Sequence, residues 1–190
     1  MKRFFAAVLC TGLLAVSFAG CGYKDALTTQ RASEATQDQV EETTAPKPEA
    51  TEFDDSFDGL CSYFAELGYI AVSDGKIDTS KEVTMDSSLV GAKDGKKYKN
   101  TYNGKQITIE LYSFDTDNLN DTAKGVIESV EKDGTFTILG LEPVTAYLSD
   151  NGKYMLIYTD NSIDKEKPDT EANNYKHREE VIADFQAFYK

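Results

Sequence analysis

Residues 98–114 read Tyr98-Lys99-Asn100-Thr101-Tyr102-Asn103-Gly104-Lys105-Gln106-Ile107-Thr108-Ile109-Glu110-Leu111-Tyr112-Ser113-Phe114, and this stretch decides the fold class. Asn103-Gly104 supplies two adjacent residues that tolerate positive φ, which the tightest hairpin turn requires. Beyond it, Ile107, Ile109 and Leu111 alternate with Thr108, Glu110 and Tyr112. That alternation predicts one buried sheet face and one half-covered face. Strands are therefore expected at Tyr98–Tyr102 and Gln106–Phe114, paired antiparallel.

Working outward, Phe53, Phe57, Leu60, Cys61, Phe64 and Leu67 fall at spacings that make a single helical stripe. Asp55 or Ser56 can cap that helix and Gly68 can end it. Asp74-Gly75 marks a turn, and Lys76 to Asp94 gives little periodic signal. After the hairpin, a second helix is expected from Asn120 or Asp121, with Ala123, Val126, Ile127 and Val130 as its apolar stripe and Asp133-Gly134 as its stop. Thr135–Leu139 reads as a short strand. Val144–Leu148 and Tyr154–Thr159 read as a further hairpin turning at Asp150-Asn151-Gly152. The last helix, Asn173 to Tyr189, presents Val181, Ile182, Phe185 and Phe188. The order α-ββ-α-(β)ββ-α predicts an α+β domain, an antiparallel sheet of four or five strands packed by helices, spanning 53–190.

The first 20 residues do not belong to that domain. Lys2 and Arg3 precede an apolar stretch from Phe4 to Phe18, and Ala19 and Gly20 are small, the pattern of an export signal. The stretch is shorter than the roughly 20 residues that a membrane-spanning helix needs. Phe18-Ala19-Gly20-Cys21 resembles the lipobox of bacterial lipoproteins, with Phe18 where Leu is commonest. That resemblance implies that Cys21 receives a diacylglyceryl group and becomes the mature N-terminus. Cleavage before Gly20, releasing a soluble protein, is the alternative reading of Ser17-Phe18-Ala19. Residues 22–52 are rich in Thr, Ala, Glu, Gln and Pro, with only Tyr23, Leu27 and Val40 as large apolar residues. Such composition does not fold alone, so 21–52 reads as the lipidated cysteine and a disordered tether of roughly 30 Å.

The charge of the chain is −13, from 33 acidic and 20 basic residues. Export would remove Lys2 and Arg3 and no acid, leaving −15. Nucleic acid is a poor partner for such a chain, because phosphate binding needs clustered Lys and Arg. An anionic membrane surface would repel it too, so membrane attachment is expected through the lipid on Cys21 alone. The expected location is the cell membrane, on its extracytoplasmic face. Gly91-Ala92-Lys93-Asp94-Gly95, the strand Ile107–Asp115, a short helix and the hairpin ending Tyr154-Met155-Leu156-Ile157-Tyr158 together resemble small uncharacterised lipoproteins of Firmicutes. Their signal, Thr/Glu/Pro-rich tether and compact α+β domain match this layout. The resemblance implies location and architecture, and no activity.

Chemistry-bearing residues are few. Cys61, the one thiol left after lipidation of Cys21, sits on the apolar stripe and reads as core. His177, in Lys176-His177-Arg178, reads as a solvated residue off its helix's apolar stripe. No Gly-x-Ser-x-Gly elbow or Gly-rich phosphate loop occurs, so no catalytic residue, cofactor or metal is assigned. The acidic run Asp115–Asp121 fails the spacing of a calcium loop at three positions and reads as a capping connection, with weak calcium binding the other reading. Lys93, Lys96, Lys97, Lys99 and Lys105 form either solvated hairpin charge or a contact for an anionic envelope polymer. Tyr98, Tyr102, Tyr112, Tyr154 and Tyr158 fall in predicted strands. On an open sheet face they would form a binding surface for a ligand or another envelope protein. The expected function is a non-catalytic binding or accessory module. The alternative is an envelope hydrolase or transferase that uses Asp/Glu carboxylates.

Overall fold

The computed structural model describes residues 46–190. The expectations for the signal, for Cys21 and for the tether up to residue 45 lie outside the described residues. In chain order the elements are α1 (Phe57–Glu66), β1 (Val72–Ser73), β2 (Lys76–Ile77), β3 (Glu82–Thr84), β4 (Asp94–Tyr102), β5 (Lys105–Ser113), α2 (Asp121–Asp133), β6 (Thr135–Phe136), β7 (Val144–Thr145), β8 (Tyr147–Leu148), β9 (Tyr154–Asp160) and α3 (Asn173–Ala187). The main sheet is antiparallel with strand order β3-β4-β5-β9-β8, while β1-β2 and β6-β7 form two-stranded ribbons. The fold is α+β, as the alternating and helical patterns predict. Among the described residues no helix is long and apolar enough to cross a membrane.

Local chemistry sets most boundaries. Ser56 Oγ accepts from the Gly59 N–H at 3.0 Å and opens α1. Asn120 Oδ1 accepts from the Ala123 N–H at 2.9 Å and opens α2, so the acidic run before it is a capping connection. Asn103 and Gly104 both take positive φ, 48° and 68°, which gives the hairpin a two-residue turn. Tyr102 then pairs with Lys105 in register.

The sheet is covered on both faces. Under α1 and α3 lie Tyr98, Ile109, Leu111 and Leu156, against Leu60, Phe64, Val181 and Phe185. On the opposite face Tyr112, Phe114, Met155 and Ile157 meet Ala123, Val126 and Val130 of α2. This explains the β9 sequence: Tyr154 to Tyr158 is an unbroken buried run, not an alternating one. In β5 the second face is graded. Tyr112 is buried, whereas Glu110 and Thr108 are half-buried, because α2 covers only one end.

Three features depart from the sequence reading. Lys76 to Asp94 contains two short strands and two 3-10 turns; β3 is an edge strand of three residues, too short for a periodic signal. The expected strand Val144–Leu148 is divided between two partners. Val144 and Thr145 pair with Phe136 and Thr135, whereas Tyr147 and Leu148 pair with Leu156 and Met155. The pivot is Ala146, whose N–H donates to the Gly134 carbonyl at 3.1 Å where α2 ends. Finally, packing begins ahead of Phe53. Ala50–Glu52 is a 3-10 turn, Ala50 touches the core, and Lys47 Nζ lies 2.7 Å from Asp184 Oδ1. Residues 46–52, read as tether, are thus part of the folded body. The buried Asp184 carboxylate, which also accepts from the Tyr69 hydroxyl at 2.5 Å, gains its counter-charge from Lys47.

Beside Cys61 in this core stands Tyr98, whose buried hydroxyl is set against the Cys61 thiol, a weak partner that lies beyond normal hydrogen-bond distance. Replacing it with Phe removes a poorly satisfied donor and leaves the ring packing intact. Tyr98→Phe should therefore be neutral or raise stability by about 1 kcal/mol. A urea-melt loss of similar size would instead reveal a hydrogen bond to the hydroxyl.

Candidate functional site

The five strand tyrosines do not form an exposed face. Register places Tyr98, Ile109 and Tyr158 in one row across β4, β5 and β9, and Tyr102 and Tyr154 project from the same face by the period of two. Tyr112 belongs to the opposite face. Tyr98, Tyr112, Tyr154 and Tyr158 are buried, and Tyr102 is partly so. Helices α1 and α3 roof the face that the sequence left open, so the expected tyrosine surface is corrected to core. Burial raises the Tyr98, Tyr112, Tyr154 and Tyr158 hydroxyls far above the ordinary phenol value. For Tyr154 the cause is joined by Asp55, whose Oδ1 accepts from its hydroxyl at 2.9 Å. Lys153 Nζ closes the same carboxylate from the other side.

His177 is half-buried instead of freely solvated. Its ring stacks on Tyr102 with centroids 3.7 Å apart and planes within 3°. The Tyr69 and Tyr158 rings stand edge-on at 5.5 and 6.3 Å. Burial lowers its pKa below the ordinary histidine value, and the Glu180 and Asp160 charges only partly offset that. The sequence signal was the residue's place one turn before Val181, but the stripe of α3 is widened on that side by the incoming Tyr102.

Asp160 anchors a polar network next to this stack. Its Oδ2 accepts from Asn174 Nδ2 at 2.6 Å, and its Oδ1 accepts from the Ser162 N–H at 2.8 Å and Ser162 Oγ at 2.6 Å. Asn103 Nδ2 donates to Asn174 Oδ1 at 3.1 Å, which ties the hairpin turn to the start of α3. Burial alone would raise the Asp160 carboxyl, but the Asn174 and Ser162 hydrogen bonds outweigh it and hold the pKa below the ordinary value.

These two groups give one direction of pH dependence. The folded state binds the His177 proton less tightly than the unfolded chain does. Its contribution is complete above the unfolded value of about 6.5 and is lost as pH falls through the folded value. Asp160 acts in the same sense at lower pH, below the unfolded value of about 3.9. His177→Phe keeps the stack and removes the proton site. It should flatten the fall in unfolding free energy between pH 7 and pH 5, measured by urea melts at each pH. An unchanged slope would place the titration elsewhere.

Two of the hairpin lysines are paired with carboxylates. Lys96 lies 3.7 Å from Glu82 Oε2, and Lys97 lies 2.7 Å from Glu110 Oε1; as neighbours in a strand they project from opposite faces. This favours the reading as solvated and paired hairpin charge. Among the described residues no group of three His, Cys, Asp or Glu side chains is placed to hold a metal ion.

What the sequence reading missed is a cleft beside β9. It encloses about 430 Å³ and is walled by Val144, Thr145 and Tyr147 on one side and by Ile157, Tyr158 and Arg178 on the other. It exists because β7 turns away to pair with β6 just where β9 continues. Arg178 has its guanidinium carbon 4.4 Å above the Tyr175 ring and donates from Nε and Nη2 to Glu179 Oε1 at 3.0 and 2.8 Å. Asp160 and Ser162 were also missed, although their Asp-x-Ser spacing recurs at Asp78 and Ser80 and at Asp86 and Ser88. In each case the Asp Oδ1 accepts from both the Ser N–H and the Ser Oγ, a local signal for an Asx turn. No protein family, curated protein or solved structure matches this chain.

Proposed function

We propose that this chain is a lipid-anchored protein of the extracytoplasmic membrane face, whose domain binds a partner without catalysing a reaction on it. The anchor rests on Phe18-Ala19-Gly20-Cys21 behind its charged and apolar leader. The binding role rests on the state of the reactive side chains. Cys61 is sealed in the core with its thiol pushed up by burial to about 11, so it stays protonated and unreactive at neutral pH. His177 is wedged among tyrosine rings, and both oxygens of the Asp160 carboxylate are engaged by Asn174 and Ser162. These groups hold the fold together. The cleft beside β9 is the observation that carries the reading, because it is a recess where β7 and β8 part along β9, lined by apolar side chains such as Val144, Ile157 and Ile163 and by charged ones such as Glu142, Lys165 and Arg178.

Crosslinking in intact cells tests the reading. A photoreactive residue placed in turn at Thr145, Lys99 and Leu139 of the full chain should yield a discrete adduct with one partner from at least one position. No adduct from any of the three would contradict a binding role.

A further inference from the structure

Along β4 the matching of lysines to carboxylates stops before the strand does. Lys96 and Lys97 have Glu82 and Glu110. The outermost register pair of β3 and β4 is Glu82 with Tyr98, so the next step along the two chains carries Lys81 and Lys99. Among the described residues neither of these forms a salt bridge. Beyond that step the chain of β3 leaves in the 3-10 turn Thr79–Lys81, while β4 runs on to Tyr102. The gap between them is a recess of about 460 Å³, lined by Lys81, Lys99, Ser80, Asn100, Thr101 and Gln106 among others, with no Asp or Glu in its wall. Asp78, on the same turn, is turned to Ser80, where its Oδ1 accepts from the N–H at 3.0 Å and from Oγ at 2.6 Å. A recess with two lysines and no acid runs against the composition of a chain with 33 acidic and 20 basic residues.

We propose that this recess binds a phosphate monoester of an otherwise neutral, hydroxyl-bearing molecule. Two ammonium groups brought together without a counter-charge repel, and a bound anion removes that cost. Their joint charge matches the roughly −1.5 to −2 of a phosphate monoester at neutral pH. Lysine is a point charge that suits a tetrahedral oxyanion, whereas planar carboxylates are clamped best by the fork of an arginine, and no arginine lines this recess. The hydroxylated carrier follows from the neighbours. Register continues the Lys99 row into Thr108 and Thr159, and pairs Thr101 with Gln106. Thr101, Gln106 and Thr159 are exposed, at the end of the sheet that α2 leaves uncovered, and their hydroxyl and amide groups can both donate and accept. The charge of −13 repels dense polyanions and anionic bilayers, so a soluble ester with one charged group is the ligand that enters. The recess shares no lining residue with the cleft beside β9, and the inference does not depend on the role proposed for that cleft.

The test is a titration of the full chain, nitrogen-15 labelled and held in neutral polyoxyethylene detergent, with glycerol 3-phosphate at low ionic strength. Amide shifts of Lys81, Lys99 and Thr101 should move saturably. Lys81→Gln and Lys99→Gln should each weaken binding about fivefold, and the double variant by more than about tenfold, with unchanged melting curves because both lysines are exposed. Lys105→Gln, a hairpin lysine outside the recess, should leave the affinity as it is. Glycerol alone should shift none of these amides, and inorganic phosphate should bind more weakly than the ester. Unchanged affinity in the double variant, equal shifts with glycerol, or no saturable shift at tens of millimolar would each overturn the inference. Equal affinity for inorganic phosphate would overturn the hydroxylated carrier. Vesicles of phosphatidylglycerol should not shift these amides in the Cys21→Ala chain; binding to them in place of the soluble ester would overturn the inference as well.

Discussion

Phe185→Ala is expected to lower the stability of the domain by about 3–5 kcal/mol. Phe185 is fully buried and meets Phe64 of α1 edge-on at 6.3 Å. It belongs to the cluster that joins both helices to the sheet. Truncation removes one of the main contacts by which α3 is held, beside those of Val181 and Ile182, and three rigid layers cannot close the cavity cheaply. Domains of this kind are stable by about 5–15 kcal/mol in all, so the variant should be close to its unfolding threshold at 37 °C. Urea melts followed by circular dichroism measure the loss. A change below about 1 kcal/mol would mean that α3 is not fastened through this ring.

Gly91→Ala should be the other severe substitution, at about 2–4 kcal/mol. Gly91 has φ of 70°. A Cβ there would lie 2.3 Å from the Ala123 N and 2.5 Å from Asn120 Oδ1. It would push directly on the cap of α2, where Asn120 also donates from Nδ2 to the Gly91 carbonyl at 2.9 Å. Gly68→Ala is the control: φ is 78° but the Cβ would meet open space, so only backbone strain of about 1 kcal/mol is expected. Melts of the two variants side by side separate strain from collision. Equal losses would show that the contact with the α2 cap carries no weight.

The elements legible in the sequence were those whose signal is local. Asn103-Gly104 announces its own turn, Ser56 and Asn120 cap their helices through their own side chains, and the β5 alternation reports its buried face directly. The elements that were not legible depend on partners far along the chain. Whether the strand tyrosines are open or covered is decided by the docking of α1 and α3, which no residue of β4 or β9 encodes alone. His177 looks polar until Tyr102, 75 residues earlier in the chain, stacks on it. The division of Val144–Leu148 between two sheets follows from where α2 ends, so the cleft beside β9 could not be read from the segment itself. Lys47 has the composition of a tether and becomes part of the body only because Asp184 needs a cation.

Lipid on Cys21 is proposed as the sole means by which this acidic domain is held at the membrane. Incorporation of a radiolabelled fatty acid, with partition of the protein between aqueous and detergent phases, tests it most directly. The native chain is expected to take up label and enter the detergent phase even in high salt, whereas Cys21→Ala should take up none. Label-free native protein in the aqueous phase would rule out lipid anchoring.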